Sequence, residues 1–364
     1  MKLNWIGIKE RMSLPPHNGI IEEDIKRILN AELPWHEFSD KVILITGANG
    51  FLPAYMVETL LALKKFIGVG PSKIVCLVRD IHTAQKRFAQ YKDRNDLEWV
   101  VQDVCEPLKI EHKIDYMIHA ASQASPKYFG KDPVGTLSAN VFGTANMLNL
   151  ATKNNVKGFL FFSSSEVYGH VAHTQTPLTE NSYGHIDPLD VRSCYAESKR
   201  MGETMCIAWM HQYGVPVKIA RIFHTYGPGM KLDDGRVFAD FVSAVVQGSD
   251  IALHSDGQAV RAFCYLTDAT SAFFTLILKG ETGQAYNVGN DQAEIRIMYL
   301  ASLLVSLYPE RKLKVSKQDE SAMAGYLKSP FNRHVPDINK IKQLGWHPQI
   351  DLHEGFRRTI GSFL

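Results

Sequence analysis

The chain has little that would tie it to a membrane, a metal or a nucleic acid. None of its apolar runs approaches the roughly 18 residues of a membrane span. Its first residues carry Lys2, Lys9, Glu10 and Arg11 where a secretion signal has an apolar stretch, so a cytoplasmic protein is expected. Only five of the 364 residues are cysteine: Cys76, Cys105, Cys194, Cys206 and Cys264. They lack CxxC or CxxxC spacing and two fall in predicted strands, so they read as reduced thiols, with no disulfide frame and no metal set. Charge of one sign is lacking too. The 40 basic and 38 acidic residues are mixed along the chain, for a net charge of +2. That pattern supplies no basic stripe for nucleic acid or an anionic membrane and points to a small-molecule ligand. Repeats and low-complexity tracts are absent.

What is present is a regular alternation of two hydrophobic periods. Residues 20–33 are amphipathic, with Ile21, Ile25, Ile28 and Leu29 on one face before Pro34. This predicts a helical arm within residues 1–40, packed on the body or on a partner subunit. From Lys41 onward, strand-like runs at 42–46, 74–78, 98–102, 116–119, 158–163 and 217–222 alternate with helical patterns at 53–67, 136–154 and 195–213. The rhythm predicts a parallel sheet covered on both faces, a doubly wound Rossmann-type α/β fold. Residues 41–222 are expected to form a dinucleotide-binding domain that also carries the catalytic groups. Residues 223–364 are expected to form mainly a smaller substrate-binding lobe, with strands or helices free to return to the main domain. A loop is predicted at 226–235 and a helix at 237–247.

The first strand runs directly into Thr46-Gly47-Ala48-Asn49-Gly50-Phe51-Leu52-Pro53, and a helix follows. Gly47 permits a tight turn, Gly50 permits close approach of a pyrophosphate, and Asn49, Phe51 and Leu52 lie in the turn and first helical residues. Their N–H groups and the positive helix end suit phosphates. Such a turn alone is as often a plain strand-to-helix connection; its context makes it a cofactor site. Pro53 stands where a third glycine is usual, tolerated in a first helical turn. The second strand ends in Arg79-Asp80, where an acid would hold ribose hydroxyls and an arginine a 2′-phosphate. Asp103-Val104 suit the adenine, and the small residues Ala120-Ala121-Ser122 suit the nicotinamide ribose. NAD is the expected cofactor, with NADP left open.

Tyr195 and Lys199 lie four apart, on one face of a helix and about 6 Å apart along its axis. The lysine ammonium is expected to lower the phenol's pKa, so that a phenolate takes a hydroxyl proton while a nicotinamide takes the hydride. Ser164 and Ser165 are placed to hydrogen-bond the same substrate oxygen, and Glu166 to act as a second acid or base. Each has a plainer alternative: a helix surface for the tyrosine–lysine pair, strand-end capping for the serines, a salt bridge for Glu166. Arg221, Lys231, Arg236 and Arg261 suit phosphate oxygens, and His224 sits on a loop after a strand, where ligand contacts occur.

These segments resemble the extended short-chain dehydrogenase/reductase family, in its nucleotide-sugar branch of epimerases, dehydratases and decarboxylases. Within it, SSSEVYGH, RSCYAESKRMGETMC, RIFHTYGPGM, DDGRVFADF and VRAFCYLTD look most like UDP-glucuronate decarboxylases. The resemblance implies tightly held NAD, oxidation of a UDP-linked sugar at C4, a chemical step on the 4-ketone, and often reduction by the same NADH. It implies Tyr195 as base, Lys199 on the nicotinamide ribose, hydrogen bonding by Ser164 and Ser165, and acid/base work by Glu166. It also implies a role in polysaccharide biosynthesis and a homodimer, paired through the helices at 136–154 and 195–213. The chain departs from the pattern at Pro53, at Arg79 for an acid, at His224 for an asparagine, and at His334 for an arginine that handles the carboxylate or a later proton, with Arg333 one residue away. Three other readings follow: a 4-epimerase or 4-dehydrogenase; a 4,6-dehydratase, disfavoured by Ser165 where Asp is usual; and a non-catalytic nucleotide-binding regulator, disfavoured by Tyr195 and Lys199.

Overall fold

The computed structural model describes residues 18–172, 176–317 and 332–364. Six strands lead the architecture: β1 (Val42–Thr46), β2 (Lys73–Val78), β3 (Leu97–Val101), β4 (Tyr116–His119), β5 (Gly158–Ser164) and β6 (Val217–Ile222). With Gln284–Val288 they form one seven-stranded parallel sheet, ordered 284–288, β6, β5, β4, β1, β2, β3. The central strands are almost wholly buried, and every residue of β5 is, as helices on both faces require. The order reverses direction between β1 and β4, so their carboxyl ends flank the crevice where this topology takes ligands. This is the doubly wound Rossmann-type fold expected.

The helices are α1 (Gly19–Leu29), α2 (Phe51–Phe66), α3 (Ile81–Arg87), α4 (Pro133–Asn154) and α5 (Ser193–Tyr213), followed by several in the later part. Their ends follow local chemistry. Asp132 caps α4 by accepting the Gly135 N–H, Pro133 opens it, and Asn155 closes it in the left-handed region. Helix α1 stops at Leu29, short of the predicted 33, where the Ala31 N–H bonds the Ile28 carbonyl at 3.1 Å, one residue tighter than the helical pattern. It packs on the body, not away from it. Buried Asp24 accepts hydrogen bonds from Tyr55 (3.0 Å), Tyr265 (2.7 Å) and Arg358 (2.7 and 3.1 Å), joining α1 to three later elements.

After β6 the chain builds a second core, including Phe238, Phe241, Phe263, Leu300 and Phe356. It also returns to the first: Gln284–Val288 becomes an edge strand of the main sheet, and the helix Leu266–Lys279 adds Phe273 and Phe274 to the main core. A small sheet is centred on Val260–Tyr265, flanked by His224–Tyr226 and Arg333–His334 in parallel and by Glu294–Arg296 in antiparallel pairing. His224–Tyr226 was predicted in part as loop. It is a short strand because its partner, about forty residues on, is a tertiary one.

Candidate active site

The cofactor crevice is assembled at the ends of β1 and β4. Thr46 Oγ1 accepts the N–H groups of Ala120 (3.1 Å) and Ala121 (3.0 Å) and shares a hydrogen bond with His119 Nδ1 (2.9 Å). His119 Nε2 meets Thr144 Oγ1 at 3.1 Å, and burial pushes this histidine down to about 3, so it stays neutral. Gly47 is in the left-handed region at φ 64°, and a Cβ there would lie 2.9 Å from Ala121 Cα. Only glycine lets the two strand ends close together. Gly50 caps α2, with Asn49 before it and Phe51 and Leu52 in the first turn; Pro53 is buried within that turn. Ser122 Oγ and Gln123 Oε1 are buried without a hydrogen-bond partner among the described residues. A cradle that a Cβ would obstruct, opening beside unpartnered polar atoms, fits a dinucleotide. Ala120, Ala121, Ser122, Gly47, Asn49, Gly50, Phe51 and Leu52 would hold it.

After β3, Val104 is buried while Asp103 accepts the Cys105 N–H at 2.9 Å, which holds its carboxyl low. Asp80 caps α3, accepting the N–H groups of His82 (2.9 Å) and Thr83 (3.2 Å) and the Thr83 hydroxyl. Arg79 is exposed beside it.

The strand-end serines and α5 meet at the same sheet edge. Tyr195 is buried and stacks on Phe129 at 4.9 Å and 15°. Lys199, one turn on, donates to the Phe162 carbonyl at 2.7 Å, with its Nζ 5.9 Å from the Tyr195 ring centre. The electrostatics differ from expectation. Burial pushes the Tyr195 phenol up to about 12, against the opposing pulls of Ser164 and Arg236, and burial drives Lys199 down to about 7. Desolvation outweighs the expected help from the lysine because both groups lie under the sheet edge. Ser165 is buried, and Ser164 Oγ accepts the Glu166 N–H at 3.2 Å, so capping and a place beside Tyr195 coexist in one residue. Glu166 is paired with Arg192 (3.3 and 3.5 Å), and both line a cleft of about 210 Å³ with His170, His185, Ser193 and Ala196.

Beyond this cluster, His334 Nε2 lies 3.3 Å from the Ser165 carbonyl, and its ring is 5.6 Å from that of His224 in an edge-to-face pair. Burial and the Arg261 guanidinium keep both imidazoles neutral, His334 down to about 3. Arg236 donates to the Ala124 carbonyl (2.7 Å) and pairs with Asp234 (2.9 Å). The structure therefore brings Tyr195, Lys199, Ser164, Ser165, Glu166, His224, His334, Arg236 and Arg261 to one region. Arg333 points elsewhere: its fork grips Glu294 at 2.7 Å twice and reaches Thr176 at 2.8 Å. Arg221 is likewise engaged, bound to Glu203 at 2.7 and 3.0 Å.

A family model described as the NAD dependent epimerase/dehydratase family matches residues 43–289, over two-thirds of the chain. The chain belongs to that family. Among curated members it is similar to UDP-glucuronic acid decarboxylase 1 of Xenopus tropicalis, 36% identical over 96% of this chain and 75% of that protein. Among solved structures it is similar to UDP-glucuronic acid 4-epimerase of Bacillus cereus in complex with UDP-glucuronic acid and NAD (21% identity, TM-score 0.73, 88% and 98% of the two chains). It is also similar to RMD of Pseudomonas aeruginosa complexed with NADPH (25% identity, TM-score 0.67, 89% and 98%).

The candidate site contains residues that sequence reasoning missed. Asn140 donates to Ser198 Oγ at 2.9 Å, and Ser198 donates to the Tyr195 carbonyl at 2.9 Å, so α4 braces the turn bearing Tyr195. Phe129 and Arg192 were missed as well. Arg192 carried a signal, three residues before Tyr195 in the quoted RSCY run; Asn140 and Phe129 carried none.

Proposed function

We propose that this protein oxidises the C4 hydroxyl of a UDP-linked sugar and acts as a UDP-glucuronate decarboxylase. The observation that carries the reading is the buried Tyr195 stacked on Phe129, with Lys199 one helical turn away and the Glu166–Arg192 pair beside it. Bound oxidised NAD supplies a hydride acceptor and a positive charge that favours the phenolate. Tyr195 takes the C4 hydroxyl proton, and Ser164 and Arg236 stabilise its anionic form. Ser164 and Ser165 orient the substrate oxygen. The resulting 4-ketone is β to the C6 carboxylate. When the C5–C6 bond breaks, its electron pair enters the C4–C5 enolate, carbon dioxide leaves, and C5 then takes a proton, a role we assign to Glu166. Kinship with UDP-glucuronic acid decarboxylases at about one-third identity over most of the chain supports this choice of sugar.

A second reading has its own observation. With Arg333 held by Glu294 and a neutral His334 in the corner, a neutral UDP-hexose fits the site, which favours 4-epimerase or 4-dehydrogenase chemistry. Our assignment of residues 41–222 to cofactor and catalysis, and of 223–364 mainly to the sugar nucleotide, holds for both readings. So does a cytoplasmic homodimer serving polysaccharide synthesis. Its dimer face is proposed along α4 and α5, where Val134, Leu137, Phe142, Met201 and Ile207 are exposed. The test is mass spectrometry and NMR of products from UDP-glucuronate and a panel of UDP-hexoses. Loss of carbon dioxide from UDP-glucuronate is the expected result. An unchanged uronate with an altered hexose establishes the second reading.

A further inference from the structure

We infer that Arg79 makes the adenosine-ribose subsite a receptor for a 2′-phosphate, so that NADP(H) binds more tightly than NAD(H). Arg79 is the first residue after β2, at the carboxyl edge of the sheet and one strand from the Gly47 turn. At this point of a Rossmann sheet a carboxylate holds both ribose hydroxyls, and an arginine receives a phosphate on the 2′ oxygen. The one carboxylate adjacent to it in sequence is Asp80, and it is spent. Its Oδ1 accepts the N–H groups of His82 and Thr83, and its Oδ2 accepts the Thr83 hydroxyl. Turning Asp80 toward a ribose would uncap α3.

Arg79 has the opposite status. It is exposed and within ion-pair distance of no carboxylate among the described residues. Its charge reaches Asp103 on one side and Asp132 on the other, lowering both carboxyls. Each of these acids is occupied: Asp103 by the Cys105 N–H, Asp132 by the Gly135 N–H and by Gln123 at 3.0 Å. The guanidinium is thus within electrostatic reach of both Asp103 and the start of α4, with its donors available. Two acids nearby weaken the local positive potential. They act from beyond contact and through solvent, whereas a phosphate meets the fork directly through paired charge-assisted hydrogen bonds. The contact term prevails. The inference concerns the adenosine half alone and stands whichever sugar reading is correct.

The test is equilibrium binding to the full chain by calorimetry, with 2′,5′-ADP and 5′-AMP as probes that carry no nicotinamide. The expected result is at least about tenfold tighter binding of 2′,5′-ADP, a preference that weakens with added salt. Arg79→Ala should remove that preference while leaving 5′-AMP affinity within about twofold, and Arg79→Asp should reverse it. Equal or weaker binding of 2′,5′-ADP by the unmodified protein overturns the inference. So does a preference that survives in Arg79→Ala. Binding of neither probe overturns the cofactor cradle itself, a different failure from a preference for 5′-AMP.

Discussion

Lys199→Met should abolish turnover and yet make the protein more stable at neutral pH. The buried ammonium is driven from 10.5 down to about 7, which at about 1.4 kcal/mol per pH unit corresponds to a folding cost on the order of 5 kcal/mol while both states are protonated. Methionine has a similar unbranched length and carries no such cost. Against this stand the lost hydrogen bond to Phe162, worth about 1 kcal/mol, and the lost attraction of Nζ to the rings of Phe161 and Tyr195, about 0.5–1 kcal/mol each. The net gain is roughly 2–3 kcal/mol, about 3–4 °C in melting temperature for a chain of 364 residues. The sign with pH follows from a folded pKa below the unfolded one. The penalty is full below pH 7, fades as the folded lysine loses its proton between 7 and 10.5, and is gone above that. Thermal melts of both proteins at pH 6.5, 8.5 and 10 should therefore converge. A variant that melts lower than the native protein at pH 6.5, or a gap that stays constant to pH 10, would refute the reasoning.

Tyr195→Phe keeps the ring stacked on Phe129 and removes only the phenol oxygen. We expect about 10²–10⁴-fold lower turnover with sugar-nucleotide affinity nearly unchanged, read by steady-state kinetics and calorimetry; full activity would exclude Tyr195 as base. Asp24→Ala leaves Arg358 and two tyrosine hydroxyls buried without their shared acceptor, though Arg358 keeps Glu23 at 2.9 Å. A loss of about 3 kcal/mol in chemical denaturation is expected, with faster proteolysis near α1. Phe142→Glu puts a charge on the proposed dimer face and should yield monomer by light scattering, with an unchanged melting profile at low concentration; an unaltered mass would move the interface elsewhere.

The readability of this chain followed the range of the interactions involved. The bounds of β1, β4 and β6 were legible because each is a short strand-forming run closed by local turn chemistry, buried throughout in β4 and nearly so in β1. The Gly47 turn was legible for the same reason, and so was the period of α5 that puts Tyr195 and Lys199 on one face. Long-range pairing was not. Nothing local shows that Arg333 meets Glu294, 39 residues away, or that His224 and His334 pair across two strands. The electrostatics of Tyr195 was misjudged because spacing shows how close a charge lies and says nothing of how far both groups are removed from water. Asp80 could have been read from local chemistry: an aspartate three residues before Thr83, at the start of a helical pattern, is a capping signal.

The central claim, oxidation at C4 with Tyr195 as base, is tested most directly with UDP-glucuronate carrying deuterium at C4. Quenched single turnovers should show the deuterium leaving C4 for the nicotinamide, slower turnover than with the unlabelled sugar, and neither effect with Tyr195→Phe. Deuterium that never leaves C4 while carbon dioxide is lost, at an unchanged rate, would contradict the account.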